Sequence, residues 1–385
     1  MSKTEMPSIR FYGFDNDWEQ RKLGELVDVC SGRDYKHLSE GTIPVYGTGG
    51  YMLSVNDALS YDRDAIGIGR KGTIDRPYIL KAPFWTVDTL FYAIPREKVD
   101  LNYAFDIFQN IDWKKKDEST GVPSLSKTAI NDIDVLAPKH DEQQIIGQFF
   151  AAIDNLITLH QRKFEKLTNV KKSMLEKMFP QNGSCYPAVR FKGFTDPWEQ
   201  RKAIDIADYS KGNGYSKGDL TDAGTPIILY GRLYTKYQFA ISEVDTFAVP
   251  RNGAVYSQGN EVIVPASGET AEDIARASAV EKSGVLLGGD LNILRPFDFI
   301  NPLFLALAIS NGEPQKELAK KAQGKSVVHT HNTDIQEVTI AYPSRTEQDR
   351  IVSVFCQLDH LITLHQRELE KLQSIKKALL EKMFV

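Results

Sequence analysis

Two clusters of lysine, glycine and small hydroxyl residues occupy corresponding places in the two halves of this chain of 385 residues. In each cluster at least one lysine precedes a glycine, and serine follows that glycine. Lysine and hydroxyl side chains are the groups that position proteins on phosphates. The candidate nucleic-acid contacts in these clusters are Lys114, Lys115, Lys116, Ser124, Ser126, Lys127, Lys321, Lys325, Ser326, His329 and His331. The alternative interpretation of each cluster is a solvated surface loop.

A glycine-rich stretch at 67–73 contains Arg70, Lys71 and Thr73. It is not a Walker nucleotide-binding loop, because Gly72 stands where that pattern requires Ser or Thr after the lysine. We interpret the stretch as a loop laid against a nucleic-acid backbone or groove, with Arg70 reaching a base edge. The structural alternative is a tight hairpin with a solvated tip.

In the second half, aromatic and basic residues alternate over 230–237. The candidate nucleic-acid contacts there are Tyr230, Arg232, Tyr234 and Lys236. Arginine can donate two hydrogen bonds to guanine at once, so Arg70 and Arg232 are our candidates for direct base contact.

No residue pattern in the chain predicts catalysis or a metal site. The stretch 301–304, Asn-Pro-Leu-Phe, is similar to the Asn-Pro-Pro-aromatic box of amino-group DNA methyltransferases, but it lacks the second proline. The glycine-rich cofactor loop of those enzymes is also missing from the sequence. A helix that begins after Asn301, with Pro302 in its first turn, explains the stretch more simply. A stand-alone methyltransferase is therefore disfavoured.

Composition limits the classes of protein further. A net charge of −4 argues against a protein that coats nucleic acid without sequence preference, because such proteins need a large positive field. Cys30, Cys185 and Cys356 are odd in number and have no metal-binding spacing, which suits a reducing cytoplasm. The sequence shows neither a signal peptide nor a membrane span, so we expect a cytoplasmic protein without a membrane partner.

A long duplicated stretch must position these candidate residues. Residues 142–179 align without a gap with 347–384, and 22 of the 38 positions are identical. Apolar or large residues recur at alternating steps of three and four, which is the rhythm of a coiled coil. We predict two long helices, each roughly 55 Å in length. The predicted seam and docking residues are Phe149, Ile153, Leu156, His160, Leu167, Val354, Leu358, Leu361, His365 and Leu372.

Histidine occupies the same seam position in both copies, near the middle of each helix. If the helices are antiparallel, His160 and His365 lie close together and form a polar layer that fixes the register. Zinc binding is disfavoured, because two ligands do not complete a site.

A second repeat near the start of each half matches 10–22 with 190–202, and its aromatic spacing predicts a short capped segment that docks on an apolar surface. The middle stretches 23–140 and 203–345 share little sequence, and both are rich in short strand-like runs. The predicted strands are 43–46, 65–68, 78–80, 89–94, 226–230, 261–264 and 285–287, with helices at 101–113 and 301–309. This pattern predicts an α+β protein in which two β-rich mixed domains are separated by an antiparallel coiled coil of two long helices, with a pseudo-two-fold internal repeat.

These marks together resemble the specificity subunit of type I restriction-modification systems. The marks are 18–22 with its copy 198–202, Pro138, Glu142, Gln143 and Ile146 with their copies Pro343, Glu347, Gln348 and Ile351, and the duplicated helices. The resemblance gives the following segments: an N-terminal segment at 1–22, target-recognition domain 1 at 23–140, a long helix at 141–180, a linker and repeated segment at 181–202, target-recognition domain 2 at 203–345 and a long helix at 346–385.

The resemblance implies that each recognition domain reads one half of an asymmetric, bipartite target in double-stranded DNA, while the helices set the spacing of the half-sites. It implies two methyltransferase subunits that dock on the helices and supply S-adenosylmethionine chemistry, and motor-nuclease subunits that join them. The chain itself would be a non-catalytic subunit that binds no cofactor. Because the middle stretches vary within the family, the resemblance assigns no base-contacting residue. The alternative function is a coiled-coil scaffold whose two β-rich domains bind protein or carbohydrate.

Overall fold

The computed structural model describes residues 7–322, 324 and 327–384. The chain forms two compact units: unit 1 comprises Met1–Arg162 with His365–Val385, and unit 2 comprises Lys163–Leu364. The division falls within both long helices, so each unit contains one part of each helix. The segment boundaries proposed from the sequence are a different partition of the chain, and they stay a prediction.

Unit 1 is built from short strands and a few helices. Its strands are β1 (Glu19–Lys22), β2 (Val27–Ser31), β3 (Glu40–Gly47), β4 (Gly50–Val55), β5 (Ala65–Gly69), β6 (Tyr78–Leu80), β7 (Trp85–Thr86), β8 (Leu90–Pro95) and β9 (Asp134–Ala137). Its helices are α1 (Leu23–Leu26), α2 (Leu101–Asn110), a 3-10 helix (Trp113–Lys116), α3 (Lys127–Asn131) and the first part of the long helix α4 (His140–Met178). The helix predicted at 101–113 therefore ends at Asn110, and Trp113 begins a separate 3-10 turn.

The central sheet of unit 1 has the order β2-β8-β5-β6, with antiparallel neighbours throughout. Strand β5 is buried along its whole length because β8 and β6 cover both of its edges and α2 packs beside it. A second sheet, β4-β3-β7, includes one parallel pair, so the strands of the unit are mixed.

Unit 2 contains more strands than unit 1. They are β10 (Glu199–Lys202), β11 (Ala207–Lys211), β12 (Leu220–Thr221), β13 (Thr225–Ile228), β14 (Ala240–Ile241), β15 (Phe247–Ala248), β16 (Tyr256–Gln258), β17 (Glu261–Pro265), β18 (Ser267–Gly268), β19 (Ser278–Val280), β20 (Ser283–Leu287), β21 (Leu291–Pro296), β22 (Val328–His329) and β23 (Thr339–Tyr342). The helices are α5 (Arg232–Thr235), α6 (Ala271–Ile274), α7 (Pro302–Ile309), α8 (Gly312–Lys320) and α9 (Asn332–Gln336), with 3-10 turns at Ala203–Asp205 and Lys217–Asp219. The second long helix, α10 (Arg345–Met383), begins in unit 2 and ends in unit 1.

In the central sheet of unit 2, β11-β21-β17-β19-β14, the first four strands repeat the order of the sheet in unit 1, and β14 is an additional edge strand. Strand β17 takes the place of β5: it is fully buried, and it pairs antiparallel with β21 as β5 pairs with β8. The predicted strand runs are found as β3, β5, β6, β8, β13, β17 and β20. The predicted helix after Asn301 is α7, and the Asn301 side chain accepts hydrogen bonds from the amides of Leu303 and Phe304, as expected for a helix cap.

The repeated segment near the start of each half docks through its tryptophan, as predicted. In unit 1 Trp18 is buried against Tyr103 and Phe384, and in unit 2 Trp198 is buried against Phe179 and Phe304. The residues after each tryptophan are not a capped turn but a strand: β1 pairs antiparallel with β9, and β10 pairs with β23.

Each unit contains an antiparallel pair of helical segments. In unit 1 Asp154 of α4 contacts Lys376 of α10, and in unit 2 Lys171 of α4 contacts Asp359 of α10. The predicted α+β class, with two β-rich mixed domains, an antiparallel helix pair and an internal repeat, is confirmed. Within the described residues, no helix combines the length and the apolar character needed to cross a membrane.

Candidate nucleic-acid interface

The glycine-rich loop and the first hydroxyl cluster, which are distant in sequence, meet at the end of β5. The Gly72 amide donates to the Pro123 carbonyl oxygen (2.8 Å), and the Leu125 amide donates to the Arg70 carbonyl oxygen (2.9 Å). This region, called corner 1, is a depression of about 450 Å³. Its lining residues are Arg70, Lys71, Asp88, Thr89, Glu118, Ser124, Leu125 and Ser126. Four residues predicted from separate stretches of sequence are thus brought together.

Corner 1 is held in shape by short-range constraints. A Cβ atom at Gly69 would lie 1.9 Å from the Thr73 carbonyl oxygen, so the turn requires glycine there. The Asp117 carboxylate accepts hydrogen bonds from the amides of Ser119 (3.0 Å) and Ser124 (2.9 Å). These hydrogen bonds, the one from Ser124 first, lower the pKa of Asp117.

Arg70 is exposed at the rim of corner 1, and its guanidinium lies over the Phe91 ring, 5.8 Å from the centroid. Its Nη1 donates to the Asp88 carbonyl oxygen at 3.4 Å. Ser126 Oγ accepts from the Ala129 amide (3.0 Å) and caps α3. Corner 1 therefore offers one guanidinium, one ammonium and hydroxyl groups beside the carboxylates of Asp88 and Glu118.

The other predicted contacts of unit 1 lie on its surface. Lys114 forms an ion pair with Asp75 (2.9 Å) and Lys115 forms one with Asp112 (3.1 Å). Three further predicted residues are exposed: Thr73, Lys116 and Lys127. Surface ion pairs of this kind are weak, so the lysines remain available to phosphates.

Unit 2 has an equivalent meeting point, called corner 2, formed by residues 266–268, Asp290 and residues 328–331. The Ala266 amide donates to the Asp290 carbonyl oxygen (2.9 Å), as the Arg70 amide donates to that of Thr89 (2.8 Å). The Thr330 amide donates to the Ala266 carbonyl oxygen at 3.0 Å, which matches the bond from Leu125 to Arg70. Ala266 therefore holds the backbone position of Arg70.

The side chains of corner 2 differ from those of corner 1. Ser267 Oγ and His329 Nδ1 are 3.1 Å apart, and these residues pair across β18 and β22. His331 stands at the start of α9, where Ser126 stands at the start of α3. Two predicted contacts, Lys325 and Ser326, lie outside the described residues.

The aromatic and basic stretch of unit 2 is largely occupied by bonds within the protein. The Arg232 side chain is 10% exposed, and its guanidinium donates to Asp245 (2.5 Å), to Gln238 (3.1 Å) and to the Glu243 carbonyl oxygen (3.0 Å). Lys236 and Arg232 together hold the pKa of Asp245 at about 2. These bonds show that Arg232 stabilises the local structure of unit 2. A DNA contact by Arg232 stays a prediction.

The remaining predicted contacts of unit 2 are mixed in character. Lys236 is exposed although it pairs with Asp245 (2.5 Å), and Lys321 pairs with Glu337. Tyr230 and Tyr234 pack against each other, with ring centroids 6.2 Å apart. Their contacts to nucleic acid also stay predictions.

The helix seam differs from the predicted one at two places. Leu156 is 45% exposed and Leu361 is 40% exposed, so neither lies in the seam. A seam step of either three or four follows Ile153, and the structure takes four: the partly buried Ile157, and Ile362 in α10, occupy the seam instead. The other predicted seam residues are buried or partly buried, namely Phe149, Ile153, His160, Leu167, Val354, Leu358, His365 and Leu372.

Polar residues occupy the seam at matched positions. In unit 1, His160 Nδ1 and His365 Nδ1 are 3.2 Å apart, which confirms that the two histidines meet. Within the part of the chain that the structure describes, no group of three or more His, Cys, Asp or Glu is placed to hold a metal ion.

The sequence prediction missed the buried ion pairs that tie each repeated segment to a long helix. In unit 1 Arg10 donates from Nε (2.7 Å) and Nη2 (2.8 Å) to the Glu142 carboxylate. In unit 2 Arg190 makes the same two bonds to Glu347, at the same distances. The sequence did contain a signal for these ion pairs: the arginine recurs at the same position of the shorter repeat, and the glutamate recurs at the same position of the duplicated helix.

Comparison with known proteins identifies the family to which the chain belongs. The family described as "Type I restriction modification DNA specificity domain" matches residues 15–169 and 195–374, which is well over half of the chain. The chain therefore belongs to the type I restriction-modification DNA specificity family. Specificity subunits are non-catalytic, and the scaffold alternative is not supported.

Two curated relatives come from Methanocaldococcus jannaschii. The type I restriction enzyme MjaVIII specificity subunit is 20% identical over 69% of this chain, and the match spans 65% of that relative's own length. The MjaIX specificity subunit is 20% identical over 99% of this chain and 96% of its own length. The crystal structure of the S subunit of a type I restriction-modification system from M. genitalium has the same fold, with a TM-score of 0.70, 13% identity and 99% coverage of both chains.

Proposed function

We propose that the chain is the DNA specificity subunit of a type I restriction-modification complex, and that each unit reads one half of an asymmetric bipartite target in double-stranded DNA. The observation that supports this most directly is the pair of corners. They share backbone hydrogen bonds but differ in their side chains: corner 1 has the exposed Arg70 and Lys71, whereas corner 2 has the partly buried Ala266 and the buried Ser267. One scaffold with different donors and acceptors suits the recognition of two different base sequences.

Within corner 1, Arg70 contacts a base edge, while lysines and hydroxyl groups contact phosphates. Arginine makes two hydrogen bonds to guanine, whereas lysine acts on phosphate as a point charge. The exposed lysines 114–116 and Lys127 add further cationic side chains on the surface of unit 1. The net charge of −4 suits a subunit that shares its phosphate contacts with partners.

Two methyltransferase subunits dock on the long helices, one at each copy of an exposed apolar pair. Unit 1 presents Leu156 and Leu159, and unit 2 presents the equivalent Leu361 and Leu364, all outside the seam. Apolar side chains at matched exposed positions are typical of a surface that a partner covers. The methyltransferase subunits carry S-adenosylmethionine, and this chain binds no cofactor of its own.

Motor-nuclease subunits then join the complex, which works in the cytoplasm. The long helices set the gap between the two half-sites, since each helix contributes residues to both units. The exposed apolar pairs on the helices thus serve assembly of the complex, and the corners at the strand ends serve DNA recognition.

The test is a titration of duplex DNA with the full chain assembled with its methyltransferase subunits, at several salt concentrations. We expect a steep loss of affinity with salt. Lys115→Ala should weaken binding to all sequences and reduce the salt slope by about one, whereas Arg70→Ala should relax one base position at a cost of about 1–3 kcal/mol. Binding without salt dependence, or without sequence preference in the unaltered complex, would contradict the proposal.

A further inference from the structure

Corner 2 lacks the arginine that corner 1 presents. Ala266 has the backbone bonds of Arg70, and Ser267 follows it where Lys71 follows in corner 1. An arginine that contacts a base at this corner would therefore have to come from another element of unit 2. Arg232 is less suited than an exposed arginine, because its side chain is only 10% exposed.

Arg251 brings a guanidinium to the same end of the sheet. It lies between β15 and β16, in the stretch from β11 to β17, which is longer than the corresponding stretch from β2 to β5 in unit 1. Its Nη1 donates to the Gly214 carbonyl oxygen at 3.2 Å. Gly214 packs on Gly289, where an added Cβ would lie 3.1 Å from the Gly214 amide nitrogen. The next residue, Asp290, accepts a hydrogen bond from the Ala266 amide, so Arg251 is connected to corner 2 through the backbone of residues 214 and 289–290.

Arg251 and Arg70 are held in the same manner. Each guanidinium lies over an aromatic ring, Arg251 over Tyr215 at 5.2 Å and Arg70 over Phe91 at 5.8 Å. Each Nη1 also donates to a backbone carbonyl oxygen, that of Gly214 at 3.2 Å or of Asp88 at 3.4 Å.

Further contacts fix the position of Arg251 without burying it. Its Nη2 pairs with the Asp219 carboxylate, and its amide donates to Tyr215 Oη at 2.8 Å. The Arg251 side chain nevertheless remains 54% exposed. A recognition side chain is most selective when neighbours fix its orientation and its edge stays accessible.

We propose that Arg251 is the base-contacting arginine of unit 2 and determines one guanine in the half-site that this unit reads. The proposal rests on the DNA-reading function proposed above. Arginine is suited to this part because its planar fork matches the two acceptors of guanine, N7 and O6, in the major groove. Lysine cannot reproduce that pair of bonds, although it preserves the charge.

The experiment uses the full chain expressed with the methyltransferase subunits of its own system, and methylated sites are mapped in the host genome. Arg251→Ala should relax one G·C pair in one half-site, with a loss of discrimination of roughly fivefold to 150-fold. Arg251→Lys should relax the same pair while its overall methylation stays closer to that of the unaltered chain. Arg70→Ala, the matched control in unit 1, should relax a pair in the other half-site.

Several outcomes would overturn the proposal. They are unchanged half-sites in Arg251→Lys, an equal loss at all sites in both Arg251 variants, or relaxation of the half-site that Arg70→Ala also affects. If Arg251→Ala fails to assemble, Arg251→Lys alone decides, because it retains the charge that pairs with Asp219. Absence of any sequence-defined methylation by the unaltered complex would instead defeat the DNA-reading function itself.

Discussion

In both units the repeated segment is attached to a long helix by the same contacts, although the middle stretches of the two halves have diverged in sequence. The buried Arg10–Glu142 pair of unit 1 has the bond lengths of the Arg190–Glu347 pair of unit 2. A helix glutamine follows each glutamate and donates to a proline carbonyl oxygen, at 2.8 Å in unit 1 and 2.9 Å in unit 2. The comparison shows that the attachment to the helices is common to both units, whereas the strand ends differ.

One difference lies beside the seam rather than at a strand end. Asp106 of α2 is buried, and Leu307 takes the corresponding place in α7, counted from the caps Asp100 and Asn301. Asp106 Oδ2 has no hydrogen-bond partner among the described residues. Burial raises the pKa of Asp106 well above its usual value, and nearby Lys376 opposes that change. Unit 1 thus carries a buried acid that unit 2 has replaced with an apolar side chain.

The largest expected effect comes from exchanging one recognition surface. If residues 203–345 are replaced by the matching segment of a relative, one half-site should change completely while the other is retained, because each unit reads DNA by itself. Methylated sites are mapped before and after the exchange, and the control exchanges 23–140. A change in both halves, or in neither, would show that recognition is not divided between the units.

A second test breaks the shared attachment in one unit at a time. Arg10→Ala leaves the Glu142 carboxylate buried without its partner, so unit 1 should lose about 3–5 kcal/mol of stability. Arg190→Ala should have an equal effect on unit 2, because its partner Glu347 is equally buried. Hydrogen exchange measured separately on peptides from each unit distinguishes the two variants. Equal loss of protection in both units from either substitution would contradict independent attachment.

The smallest expected effect comes from a substitution that removes the difference between the two units at Asp106. Asp106→Leu should stabilise unit 1 by about 1–3 kcal/mol near neutral pH, since it removes a buried acceptor without a partner. A carboxyl group whose pKa is higher in the folded state than in the unfolded state contributes to stability through its protonated form. This contribution is complete only below the pKa that the group has in the unfolded chain, about 3.9. That contribution is lost as the pH rises through the folded-state pKa, so the advantage of the leucine variant should shrink as the pH falls toward 4.

Urea unfolding at several pH values, with hydrogen exchange to localise the change, measures this effect. The reciprocal variant Leu307→Asp should destabilise unit 2 most at neutral pH. An advantage of Asp106→Leu that grows on acidification would show that the carboxyl is ionised and paired in the folded protein.

Local patterns made the elements of this fold predictable. The long helices follow from an uninterrupted apolar period, and strands such as β5 and β17 follow from short apolar runs beside turn residues. The capping role of Asn301 also follows from neighbours in sequence, because the proline after it fits only the first helical turn.

Features that depend on distant residues were not predictable in this way. The meeting of Arg70 with Leu125 is set by sheet topology, and the Arg10–Glu142 pair joins members of two repeats with different spacings. The seam position of Ile157 was missed because steps of three and four are both compatible with a heptad. Arg251 was overlooked because nothing adjacent to it in sequence points to corner 2.

The chain segments that make up each unit determine the order in which the units can be completed during synthesis. Unit 2 is one continuous stretch, Lys163–Leu364, whereas unit 1 needs His365–Val385 in addition to Met1–Arg162. In unit 1 the Ile9 amide donates to the Lys382 carbonyl oxygen at 3.2 Å, and Trp18 packs on Phe384. The N-terminal part of unit 1 therefore cannot form these contacts until the residues at the end of α10 have been synthesised. Chains leave the ribosome from the N-terminus onward, and domains fold as their residues become available. The unit that starts first is therefore completed last, and the final turns of α10 close it.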